Sequence, residues 1–273
     1  MDVYGIDFTS RPRPAKPITC LRCRLADGVL RAGELEAFTD FAAFEAMLRR
    51  PGPWIAGLDF PFGLPRKFIT SIGWPQSWAG YVEHAASLGR DGFRAALEDY
   101  RLDRPAGDKE HRRATDIAAG SISPQKLYGT PVALMFFEGA QRLVRAGVTI
   151  PQMQIGDPER VIVEVYPGAL ARRLIGRRSY KNDIRAKQTP LQLEERRAML
   201  ALLTTETMRA RLGFAVEAKD DLCADPGGDA LDALLCAVQA AWAWTRRAAG
   251  YGAPADVDPL EGWIADPPTG SYA

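Results

Sequence analysis

The chain has 273 residues, of which 47% are hydrophobic and 25% charged. That is enough to bury a large core in one enlarged domain over residues 1–273. A formal net charge of +1 excludes a strongly basic nucleic-acid binder and leaves only a local patch for such contacts. No apolar run approaches the roughly 18 residues of a membrane span, and the strand pattern starts at Val3 with no room for a signal core. A cytoplasmic protein with no membrane contact is expected.

The first strand is predicted at Val3–Phe8. Ile18–Leu25 and Val29–Phe38 flank "ADG", whose Asp-Gly step supplies the positive backbone angles of a tight hairpin. Cys20 and Cys23 in "TCLRC" are three apart. In a strand they point to opposite faces, which disfavours chelation, and the two histidines of the chain supply no second pair of zinc ligands. Thr39 is predicted to cap a helix running through Arg49, with Phe41, Phe44, Met47 and Leu48 at helical spacing. Trp54–Asp59, almost wholly apolar, is predicted to be a central parallel strand.

From about 61 to 159 no strand signal appears. Helical patterns near Gly92–Leu102 and Pro131–Ala146 predict a helical insertion. Arg160–Pro167 returns as a strand, followed by helices near Gly168–Ile175, Leu191–Leu212 and Asp229–Ala249. The Pro- and Gly-rich tail from Tyr251 is predicted to be surface loop.

This order predicts an α/β fold with a meander at one end, in which ligands sit beyond the carboxyl ends of the parallel strands. Asp7 and Asp59 end two apolar strands, Glu164 lies late in a third, and Asp229 and Asp232 share one face of the last helix. Carboxylates gathered in this way repel one another unless a cation sits among them. Oxygen-only, histidine-poor donors suit magnesium or manganese, and such ions support phosphodiester cleavage.

"GIDFTS", "GLDFPFGLP", "VEVYPGAL" and "DALDALLCAVQAAW", in that order, resemble the family called domain of unknown function 429, described as predicted nucleases. The resemblance implies a ribonuclease H-like fold: a mixed five-stranded sheet with its second strand antiparallel, flanked by helices, here with a large helical insertion. It implies catalytic roles for Asp7, Asp59, Glu164, Asp229 and Asp232. Asp7, Asp59, Glu164 and Asp232 are the expected ligands of Mg2+ or Mn2+. The chain departs from the family in carrying Gly228 where His often precedes the first Asp of the last helix.

Arg112, Arg113, Asp116, Ser123 and Lys126 in the insertion are candidates to fold over these carboxylates and bind phosphate. The run Arg172–Lys187, with Lys181 as a substrate contact, is the one stretch resembling a nucleic-acid footprint. The function expected is metal-dependent hydrolysis of a phosphodiester in nucleic acid or a nucleotide derivative. The alternatives are an ATP-dependent phosphotransferase of actin-like architecture, disfavoured by the Pro and Arg of "DFTSRPRPAKP" where a glycine-rich loop is needed, and a non-catalytic binding protein.

Overall fold

The computed structural model describes residues 1–268. Among the described residues, seven strands form one mixed sheet: β1 (Asp2–Asp7), β2 (Ile18–Ala26), β3 (Val29–Phe38), β4 (Trp54–Leu58), β5 (Val148–Thr149), β6 (Asp157–Glu164) and β7 (Ala215–Glu217), in the order β5-β6-β4-β1-β2-β3-β7. Only β2 runs against the others. The five long strands are those expected. The two extra edge strands are three residues or shorter, too brief to give an alternation in the sequence. The turn between β2 and β3 has positive φ at both Asp27 and Gly28 (53° and 70°), as an Asp-Gly hairpin requires.

Helices cover both faces. One layer holds α1 (Phe41–Leu48) and the insertion helices α2 (Arg66–Ser71), α3 (Trp78–Ser87), α4 (Gly89–Arg101), α5 (Ala114–Ala119) and α6 (Val132–Ala146). The other holds α7 (Pro167–Ile175), α8 (Pro190–Leu203), α9 (Glu206–Leu212) and α10 (Asp229–Thr245). Each layer closes its own apolar core on the sheet, with Cys20 in one core and Cys23 in the other. All four thiols are free and buried.

Several boundaries differ from expectation for identifiable reasons. Asp40, not Thr39, caps α1, its carboxylate accepting from the Ala43 amide at 2.8 Å. The helix expected over Leu191–Leu212 is two helices, because the Thr205 hydroxyl caps a new start by accepting from the Met208 amide at 3.3 Å. Helices α2 and α3 lie within and just after "FPFGLP…SIGWPQSW", whose Pro and Gly hid these short apolar turns. The tail is not merely surface loop, since Leu260, Ile264 and Ala265 are buried.

Residues 258–266 lace the insertion to the sheet. The Tyr81 hydroxyl donates to Leu260 O at 2.6 Å, and Glu261 accepts from the amides of Arg66 and Ala114 at 2.8 and 3.1 Å. The Thr115 hydroxyl accepts from the Ile264 amide at 2.7 Å, and the Ala265 amide donates to Glu164 O at 2.8 Å. Among the described residues, no helix is long and apolar enough to cross a membrane.

Candidate functional site

Parallel β1 and β4 pair Ile6 with Leu58, and the Asp59 amide donates to Ile6 O at 3.0 Å. Asp7 and Asp59 therefore stand side by side at the carboxyl edge of the sheet. Side chains alternate along a strand, so both aspartates share the face of Val3 and Ile55, which is the α10 side. Gly5 and Gly57 let α10 lie on that face without intervening side chains: a Cβ at Gly57 would stand 2.6 Å from Cys236 O. This close approach brings the first turn of α10, carrying Asp229 and Asp232, to the two strand ends.

Asp232 is buried. Its carboxylate accepts from the Tyr180 hydroxyl at 2.7 Å and forms an ion pair with Lys181. Asp229 is paired with Lys16 at 2.8 Å. Asp225 caps α10: its carboxylate accepts from the Asp229 amide at 2.8 Å and the Gly227 amide at 2.9 Å. Gly228, at φ 76°, makes the turn into the helix, a backbone conformation that suits glycine.

Asp7 and Asp59 have no such partners: neither carboxylate makes a hydrogen bond or ion pair among the described residues. Burial and the charges of Asp232, Asp229 and Asp59 raise the pKa of Asp7 well above the usual carboxylate range, partly offset by Lys181. Burial and Asp232 push Asp59 up to about 7. Lys181 stays charged, with Asp232, Tyr180 and Asp7 outweighing the burial that works against it.

Glu164 goes elsewhere. Its register partner is Leu58, not Asp59, so it points to the opposite face, into the insertion layer. There the Arg113 guanidinium donates to both its oxygens at 2.5 and 2.8 Å, and the Phe62 amide donates at 2.9 Å. Arg113 also holds Asp116 and donates to Glu261 O at 2.9 Å, so all five of its N–H groups are used. Glu164, expected among the ligands, is thus committed to a buried ion cluster. Arg113 and Asp116, expected on phosphate, complete that cluster.

The remaining candidates are dispersed. Arg112 is exposed, Lys126 lies 5.0 Å from the centre of the Tyr128 ring, and Ser123 is buried. In the basic run, Arg172 binds Tyr166 and the Ala119 carbonyl, Arg173 pairs with Asp266, and Arg178 pairs with Glu195. Among the described residues, Lys181 is the cation of that run that reaches the carboxylates. Lys16, Tyr180 and Asp225 were not anticipated; the Tyr-Lys step "SYKND" beside an otherwise basic run was the available signal for Tyr180.

The family model described as protein of unknown function (DUF429) matches residues 5–257. The chain belongs to the DUF429 family. No curated protein and no solved structure matches it. The match spans all four motifs and the whole insertion, so the carboxylate edge and the side chains of Arg113, Asp116 and Glu164 lie inside the DUF429 region.

Among the described residues, no three His, Cys, Asp or Glu side chains are grouped to hold a metal ion. Magnesium nonetheless fits this edge, because it is commonly held by one or two carboxylates together with water and substrate phosphate rather than by a full protein cage. Asp7 and Asp59 could serve as such a pair: both are oxygen donors, partly open to solvent, and neither has a hydrogen-bond or ion-pair partner among the described residues.

Proposed function

We propose that this DUF429 protein is a metal-dependent phosphodiesterase of ribonuclease H-like architecture, acting on nucleic acid or a nucleotide derivative with Mg2+ or Mn2+. The observation that carries the reading is the pair of unpartnered carboxylates, Asp7 and Asp59, at adjacent parallel strand ends with raised proton affinity. An oxygen-preferring cation relieves both their repulsion and their lack of partners. When bound, the ion would supply positive charge for the phosphate oxygens and lower the pKa of a water nucleophile. Asp7 and Asp59 would hold it, and Asp232 holds Lys181 beside them. Lys181 and Lys16 give the edge the positive charge that steadies a phosphate group. Glu164 acts at a distance, fixing the backbone at Phe62 beyond the Asp59 turn.

The test is calorimetric titration of Mn2+ combined with assays on thymidine 5′-(p-nitrophenyl phosphate) and on single- and double-stranded oligonucleotides. Asp7→Asn is expected to abolish Mn2+ binding and hydrolysis while leaving the metal-free protein no less stable. Absence of both Mn2+ binding and cleavage in the native protein sinks the proposal.

A further inference from the structure

Beside Asp59, on its insertion side, a cleft of about 240 Å3 opens between the sheet edge and the insertion. Its walls are largely apolar, with Phe60, Val132, Met135 and Tyr166 among them. Its polar floor is Arg113, Asp116 and Glu164, all buried. Two properties of this cleft decide what it takes.

The first is charge. Two carboxylates line it, Asp116 and Glu164, with Asp59 at its edge, against the single guanidinium of Arg113. Arg113 has no N–H to spare, since Asp116, Glu164 and the Glu261 carbonyl accept them all. A phosphate placed here meets net negative charge and no available cation. The cations of the edge, Lys181 and Lys16, instead accompany Asp232 and Asp229 on the α10 side.

The second is size. Pockets for drug-sized ligands run from about 300 to 1,000 Å3, so this cleft admits a single ring system and not a run of stacked bases. The Tyr166 ring that walls it is fixed by Arg172, whose guanidinium lies 5.0 Å from the ring centre and donates to the hydroxyl at 3.0 Å.

We infer that the cleft binds one flat, uncharged ring of a small phosphodiester, with the phosphate turned away from it toward Lys181. The inference rests on the phosphodiesterase reading and narrows it to a substrate of nucleotide size. In the step, the oxygen of water bonds to phosphorus, the ester bond from phosphorus to oxygen breaks, and the released alcohol takes a proton. The products are a phosphate monoester and an alcohol.

The experiment is titration of the metal-free protein with adenosine, guanosine, cytidine and uridine, followed by calorimetry, with inorganic phosphate as competitor. At least one nucleoside is expected to bind saturably, and phosphate is expected not to displace it. Val132→Trp, which narrows the cleft, should weaken that binding tenfold or more. Ile122→Asp at the exposed rim, where folding is not at stake, should weaken it in the same direction. Both variants should bind Mn2+ as the native protein does. Binding of none of the four nucleosides, displacement by phosphate, or indifference to both substitutions overturns the inference. Failure of the phosphodiesterase reading shows separately, as loss of Mn2+ binding and hydrolysis with nucleoside binding intact.

Discussion

A Cβ on Gly5 would stand 1.8 Å from the Ala233 carbonyl oxygen and 2.4 Å from the Ala237 amide nitrogen, so β1 and α10 meet backbone to backbone. The clash is with main chain and cannot be relieved by a rotamer change. Gly5→Ala must push α10 outward, carrying Asp232 and its partner Lys181 away from Asp7. We expect a loss of about 1–3 kcal/mol or more, as for overpacking in a dense core. Denaturant melts of the variant check this loss.

A second prediction concerns pH. The folded-state pKa of Asp59 is about 7 against the usual 3.8. Between those values the folded protein keeps a proton that the unfolded chain has lost, so stability from this group is full at low pH and falls as pH rises toward 7. Asp7 acts in the same direction. The advantage in melting temperature of Asp59→Asn over the native protein should therefore grow from pH 4 to pH 8 without metal. If the difference is flat with pH, Asp59 is not held at raised pKa.

Arg113 supports two buried carboxylates whose side chains are 2% and 3% exposed. Removing it leaves both charges without a counter-ion. Arg113→Ala should cost about 3–5 kcal/mol, the range for breaking a buried ion pair. Adding Glu164→Gln to Arg113→Ala should cost less than the two single effects summed, since the residues share one network. Additive losses in a double-mutant cycle measured by chemical denaturation would count against this coupling.

Lys181 brings a positive charge to the carboxylates that are to hold a cation. Lys181→Ala should raise the affinity for Mn2+ alone by about tenfold or more, as expected when a like charge is removed from a partly buried site. It should also slow hydrolysis by withdrawing a phosphate contact. Weaker Mn2+ binding in this variant would show that Lys181 organises the site more than it competes within it.

The strand ends at Asp7 and Asp59 were legible because each follows an apolar run that turn residues then break. That pattern belongs to the chain locally and survives without tertiary information. The sidedness of Glu164 was not legible, because it depends on β6 pairing with β4 so that Glu164 stands opposite Leu58. A one-residue change in register would turn it to the other face. The same limit applies to Lys16 and Asp229, whose 2.8 Å contact joins residues 213 positions apart. The capping by Asp225 was hidden by Asp229 itself, an equally suitable capping residue four positions later. What the chain spelled out were the places where elements stop; which stops face one another was decided by pairing.

The lacing at residues 258–266 gives the site an order in time. Translation delivers the sheet, the insertion and α10 before the segment that binds Tyr81, Thr115 and Glu164 together. A chain that stops short of residue 258 lacks the strap behind the carboxylate edge. Arg113 then lacks its contact to Glu261 O, and the wall of the neighbouring cleft lacks Ile264. The cleft beside the carboxylate edge is thus walled only once that strap has been made.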